Sequence, residues 1–186
     1  MSFKKEASVF VRHSTLSVVI ALLIAVGAGG FGFIYSGVYD VSAMSGHNPL
    51  VAWVLHKTYM QSLHRHASDI QVPPDLMSAA NVEAGAHLYR ATCAACHGAP
   101  GQTLSPIGQG ILPLAPQLLD AKRRNNPKLM FWVIKNGVKM TAMPAFGRTQ
   151  DDQKLWQVAA FLFKGRGISA QACRRSCPRS SCSSCG

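Results

Sequence analysis

The sequence predicts an all-α protein, with a small helical domain preceded by one membrane-crossing helix. Three observations carry this. Residues 14–39, STLSVVIALLIAVGAGGFGFIYSGVY, hold no charge. Three later segments have apolar residues at helical spacing between capping signals. No alternating apolar–polar run of useful length reads as a strand.

The first element is the apolar run, which exceeds the roughly 20 residues a bilayer span needs. Lys4, Lys5 and Arg12 precede it against Glu6 alone. The positive-inside rule then leaves residues 1–13 in the cytoplasm, makes 14–38 the transmembrane anchor, and exports the rest. A cleaved signal peptide is the rival, with Val26-Gly27-Ala28 as its small-residue site. The apolar sequence continues through GFGFIYSGVY, unlike a mature N-terminus, and favours an uncleaved anchor.

Residues 39–76 form a juxtamembrane segment. Leu50, Trp53, Val54, Met60 and Leu63 fall at mostly helical spacings, which predicts an amphipathic helix on the membrane surface or against a partner. His47, His56, His64 and His66 lie here too. Without a cysteine or a His-x3-His pair on one face, they read as surface histidines and not as a metal site. Pro73-Pro74 ends the segment.

A compact domain follows over 77–167. Its first helix spans about Val82 to Ala94, with Asn81 as N-cap. Its second is NPKLMFWVIKNG, with Asn126 as cap, Pro127 at the first helical position and Asn136-Gly137 as the stop. Its third is TQDDQKLWQVAAFLFKGRG, with Thr149 as cap, Asp152 completing a capping box and Gly165 at the end. Pro100, Pro106, Pro113 and Pro116 make the stretch after the first helix mostly loop. A domain this small and this loop-rich has little core of its own, so a large apolar cofactor would complete it.

Cys93, Cys96 and His97 spell Cys-x-x-Cys-His, the attachment signature of a c-type haem. The two thiols add to neighbouring vinyl groups as thioethers, and His97 follows at the position of an axial ligand. A redox pair would want a βαβ setting, and a zinc site would want more ligands nearby. Downstream, NGVKMTAMPAFG offers Met140 and Met143 as thioether ligands for the opposite face of the iron. Trp132, Phe131 and Phe146 would supply apolar surroundings.

These residues resemble the class I c-type cytochromes, in particular the small single-haem ones tethered to the bacterial membrane. The resemblance covers about 80–166 and rests on GAHLYRATCAACHGAPG, IKNGVKMTAMPAFG and the closing LWQVAAFLF. It implies a small cytochrome c fold around one covalent haem c, with His97 and Met143 as the axial pair. It implies that the first helix crosses the last, placing Gly85 and Tyr89 against Val158 and Phe161. It also implies that a proline carbonyl accepts the N–H of His97. Pro113 and Pro116 compete for that role, and Pro116-Gln117-Leu118 fits the family pattern better. Ala142 stands where the family often has glycine before Met-Pro.

The chain has 19 Lys+Arg against 8 Asp+Glu, a net charge of +11. The basic residues are spread out, so no stripe reads as a nucleic-acid footprint. Within 81–166, Lys122, Arg123, Arg124, Lys128, Lys135, Lys139 and Arg148 gather in the distal half, a basic rim suited to an acidic redox partner. Iron held on both faces has no open position, so the expected activity is one-electron transfer and not catalysis. The setting is the periplasmic side of a bacterial inner membrane, in a respiratory or related chain. The expected contacts are a donor and an acceptor protein, and lipid through the anchor. One alternative is a subunit of a larger dehydrogenase or oxidase complex; another is a haem enzyme or gas sensor with a labile distal ligand.

The tail, 168–186, carries Cys173, Cys177, Cys182 and Cys185 among Arg174, Arg175 and Arg179. No histidine follows Cys182 and Cys185, so no second haem is expected. It reads as a disordered basic tail, with disulfides or a zinc knot as alternatives.

Overall fold

In the computed structural model, residues 3–100 and 102–169 are described, with side chains from Thr15 onward. The tail cysteines lie outside the described residues. Among the described residues every regular element is helical, as the sequence predicts. The chain divides into two units, Met1–Ser45 and Gly46–Gly186.

The first unit is α1 (Phe3–Ser36). Its stretch Thr15–Ser36 has a mean hydropathy of 2.3 and its side chains are exposed, so it is long and apolar enough to cross a membrane. At 1.5 Å per residue it spans about 33 Å, slightly more than a hydrocarbon core. Gly37, at φ +66°, ends it in the left-handed conformation that glycine adopts without penalty.

The second unit begins with α2 (Pro49–Ala67), whose N-cap Asn48 accepts a hydrogen bond from the Leu50 N–H. Its C-terminal half packs on α6, burying Leu63 and Ala67, and Leu76 is buried just beyond it. Lys128 Nζ donates to the Ser68 carbonyl at 3.1 Å, and the His66 and Trp132 rings stand 5.7 Å apart. Helix α2 therefore contributes to the core of the compact unit.

The helix that leads to Cys93 is longer than its sequence pattern indicates. α3 (Ala79–Leu88) passes through a widened π-type turn, Tyr89–Cys93, into α4 (Ala94–His97). Its N-cap is Ser78 and not Asn81. The Ser78 hydroxyl accepts from the Asn81 N–H at 3.4 Å, while the Asn81 side chain turns back to the Asp75 carbonyl. A serine four residues before the apolar pattern starts at Val82 was enough to open the helix earlier. The loop that follows is interrupted by one short turn, α5 (Pro106–Gln109).

α6 (Pro127–Asn136) starts at Asn126 and Pro127 and stops at Gly137, as its capping residues indicate. α7 (Asp152–Lys164) is capped by Asp151 and not by Thr149. The Asp151 carboxylate accepts from the Lys154 N–H at 2.9 Å, which holds it below the usual carboxylate range. Asp152 closes no capping box and instead binds Lys135 at 2.7 Å. Thr149 closes a short 3-10 turn, Phe146–Arg148, ahead of the helix.

The core lies where α3 and α6 meet α7. Tyr89, Leu119, Phe131, Ile134, Leu155, Val158, Phe161 and Leu162 form one buried cluster. α3 crosses α7 at Gly85, where a Cβ would stand 1.9 Å from the Gln157 carbonyl oxygen and 3.0 Å from the Phe161 Cβ. One turn on, the Tyr89 and Phe161 rings meet at 5.3 Å. This is the crossing the family resemblance implies. On the α6 side, Phe131 stacks on Trp156 with ring centroids 4.0 Å apart.

Candidate haem-binding site

The π-type turn and α4 bring Cys93, Cys96 and His97 onto one continuous helical path. Both thiols are free and half-buried. Burial pushes the Cys93 thiol up, opposed by a contact with the Thr92 hydroxyl at 3.3 Å. Gly98, at φ +72°, turns the chain sharply out of α4. The buried Tyr89 hydroxyl then donates to the Gly98 carbonyl at 2.7 Å and fixes that exit against α7.

His97 Nδ1 donates to the Pro116 carbonyl at 2.8 Å. Of the two competing prolines, Pro116 is the one that meets the ring. The bond fixes the tautomer and leaves Nε2 as the lone-pair nitrogen, the arrangement a metal-ligating histidine requires. Burial lowers the His97 pKa; the Pro116 bond works against this, and the Arg123 charge adds to it. The imidazole is therefore neutral, ready to donate its lone pair, at and above the ordinary histidine value.

α5 buttresses this segment from the other side. Ser105 Oγ donates to the Ala95 carbonyl and accepts from the Gly108 N–H. Gly108 lies so close that a Cβ would stand 2.8 Å from the Cys96 carbonyl oxygen. Between α5 and Pro116 the chain leaves Leu112 and Leu114 exposed, an apolar surface of the kind a porphyrin would cover.

The two methionines differ. Met140 is 78% exposed and sits at φ +59°, on a turn. Met143 is half-buried and held by its backbone: its N–H donates to Thr141 Oγ1 at 3.1 Å, and its carbonyl accepts from the Val138 N–H at 3.2 Å. Gly137 is pressed against this loop, since a Cβ there would stand 2.7 Å from the Met143 oxygen. Phe146 packs onto the core cluster, and Trp132 is half-buried on the side of α6 that meets His66.

A zinc or cluster site on the same cysteines has no support in the geometry. Among the described residues no three His, Cys, Asp or Glu side chains gather as a metal site. Haem c instead fits the donor set: two free thiols, an imidazole with its far nitrogen engaged, and a thioether on an ordered loop.

The family model described as "Cytochrome C oxidase, cbb3-type, subunit III" matches residues 80–162. Residues 80–162 are a class I c-type cytochrome domain. No curated protein and no solved structure gives a significant match. The cytochrome domain is a haem-based electron-transfer module that holds haem c covalently. The match covers less than half of the chain and stops short of α1 and α2.

Sequence reasoning missed several residues that shape the cytochrome domain's site: Tyr89 as a tie to Gly98, Ser105 and Gly108 as the buttress, Thr141 and Gly137 as the frame of the Met143 loop. Glycines beside the Cys93–His97 and Met143 segments were the available signal, because close backbone approach demands them. Asn125 is another. It is buried at φ +36°, and its side-chain amide donates to the Leu118 and Leu162 carbonyls at 2.6 and 2.8 Å, tying the loop after Pro116 to α7.

The basic rim is only partly free. Lys135 is bound to Asp152, Lys128 to Ser68, and Arg123 to Asn125 Oδ1 at 3.2 Å. Lys122, Arg124, Lys139 and Arg148 are exposed and make no ion pair among the described residues.

Proposed function

We propose that the chain is a membrane-anchored electron carrier with a single haem, ligated by His97 and Met143 and attached through Cys93 and Cys96. The single observation that carries this reading is the His97–Pro116 bond, which orients a neutral imidazole directly after two free, half-buried thiols. When bound, the haem iron supplies reversible one-electron chemistry between its ferrous and ferric states.

The chain's own residues set the terms of that chemistry. Pro116 holds the His97 ring in place, and Thr141 and Gly137 hold the Met143 loop, so little has to move when the charge changes. A neutral thioether and apolar surroundings both disfavour the extra positive charge of the ferric state, which raises the potential. With His97 and Met143 both holding it, the iron would have no place for substrate. Met143 is favoured over Met140 because it is half-buried on an ordered loop, whereas Met140 is 78% exposed.

α1 is the anchor, and its basic flank favours export of the haem domain to the periplasmic side of a bacterial inner membrane. Lys122, Arg124, Lys139 and Arg148 would steer an acidic donor or acceptor, more weakly as salt rises. The description of the matching family, an oxidase subunit, favours a second reading: the cytochrome domain works as a fixed subunit of a larger membrane complex. Purification in mild detergent separates the two, since a stoichiometric partner accompanies a subunit and not a free carrier.

A redox titration with Met143→Leu and Met140→Leu as separate variants tests the ligation. Met143→Leu is expected to lower the potential and open the iron to carbon monoxide, with Met140→Leu unchanged. If the wild-type ferrous protein binds carbon monoxide readily at neutral pH, the carrier reading gives way to an enzyme or a gas sensor.

A further inference from the structure

The first two turns of α2 carry apolar side chains that nothing in the compact unit covers. Leu50, Val51, Trp53, Val54 and Leu55 are all exposed, Trp53 by 58%. At about 100° per residue these positions centre on the side of the helix opposite to Tyr59, Leu63 and Ala67, the side that packs on α6. The outward face continues as Lys57, Gln61 and Arg65. It is thus apolar at the N-terminal end and basic further on.

Two facts indicate what covers it. From Val41 to Ser68 the chain contains no Asp or Glu, so the charge on and around this helix is entirely of one sign. An anionic surface is its complement. The twelve residues 37–48 separate Pro49 from the end of α1, so α2 starts within roughly 40 Å of the end of the membrane helix even when that linker is fully extended. A basic helix with an apolar, tryptophan-bearing end, so tethered, has the composition of an interfacial membrane helix.

We propose that the N-terminal half of α2 lies in the headgroup layer of an anionic phospholipid bilayer, with Trp53 and its apolar neighbours below the phosphates and Lys57 among them, and with Arg65 further along the same face, directed at the anionic surface. This rests on reading α1 as an anchor and adds a second contact with the membrane. Because the other side of α2 is packed on α6, the contact restricts the orientation of the cytochrome domain over the lipid, which a flexible tether alone would leave free.

The test is hydroxyl-radical footprinting of the full-length holoprotein in nanodiscs of phosphatidylcholine and phosphatidylglycerol, with a carbonate wash of the same protein in vesicles. Trp53 is expected to be protected on the order of fivefold or more relative to its reactivity in an unfolded peptide. Met140, 78% exposed, serves as the reactive control. Leu50→Asp with Val54→Asp, both on the exposed face, is expected to abolish the protection and leave the haem spectrum unchanged. Wild-type Trp53 that reacts freely in a chain retained by the vesicles overturns the proposal and leaves the anchor standing. A chain removed by carbonate overturns both. Protection in native membranes but not in nanodiscs assigns the face to a protein partner and also overturns it.

Discussion

Thr141 sits between the two methionines and hydrogen-bonds in both directions, donating to the Val138 carbonyl at 2.8 Å and accepting from the Met143 N–H at 3.1 Å. It fixes the backbone from which the Met143 thioether projects. Thr141→Val keeps the shape and removes both bonds, each worth about 1 kcal/mol. Under the proposed ligation by Met143 the expected result is a looser distal ligand: a lower potential and a raised affinity for carbon monoxide, with the fold retained, read by redox titration and visible spectroscopy. His97 gives a second prediction at this scale, because its pKa is held down by burial first and by Arg123 as a lesser cause. A histidine with a depressed folded-state value binds fewer protons than the unfolded chain. In the haem-free chain its contribution to stability is therefore complete above about 6.5 and is lost as pH falls below that value. Arg123→Gln keeps a donor for Asn125 but removes the charge, so His97 gains a proton more easily. In the haem-free chain the His97 titration, read by nuclear magnetic resonance, should then move to higher pH; an unchanged titration would show that Arg123 has no such effect.

At the scale of elements, the crossing of α3 and α7 depends on Gly85, where a Cβ would lie 1.9 Å from a backbone oxygen that cannot rotate away. Alanine gains up to about 1 kcal/mol of helix propensity there, but the helices must separate, and overpacking of this kind costs about 1–3 kcal/mol. Because the same crossing carries Tyr89 and so the exit of His97, Gly85→Ala should lower the melting temperature by roughly 5–10 °C and loosen haem ligation together. Much of this level was legible in the sequence, for identifiable reasons. Helices α6 and α7 have sharply patterned apolar faces, and Asn126, Pro127 and Gly137 are strong, unambiguous punctuation. The start of α7 was misread because three residues able to cap stand close together, Thr149, Asp151 and Asp152, and composition alone does not rank them. The start of α3 was misread because Ser78 precedes two alanines that carry no periodic signal. Around the ligands, Cys93, Cys96 and His97 announce themselves by spacing. Tyr89, Ser105 and Thr141 act through backbone groups distant in sequence or hidden in loops, which no local pattern reveals.

At the scale of the whole molecule, the compact unit extends beyond the segment that the family model matches. That model begins at residue 80, and the sequence pattern places a domain boundary near 77, yet Leu63 and Ala67 are buried against α6 and Leu76 is buried as well. The reason is a division of labour along α2: its first turns expose their apolar residues and its last turns bury theirs, so an average over the helix suggests a surface element while its C-terminal half serves as core. Removing α2 would uncover the face of α6 that holds Trp132 and would leave Lys128 without the Ser68 carbonyl. A buried leucine truncated to alanine costs about 2–5 kcal/mol, and loss of the whole helix removes Leu63 and Ala67 together. Holoprotein fragments 46–169 and 77–169, compared by thermal unfolding, should therefore differ clearly, the shorter one melting at least 10 °C lower. Leu63→Ala in the longer fragment should reproduce part of that loss, whereas Leu50→Ala, on the exposed end of the same helix, should leave the melting temperature where it was. Equal stability of the two fragments would mean that α2 rests on the cytochrome domain without supporting it. The gap expected here instead makes α2 a structural link: the element that follows α1 in sequence is also part of the core that holds the Cys93–His97 and Met143 segments in place.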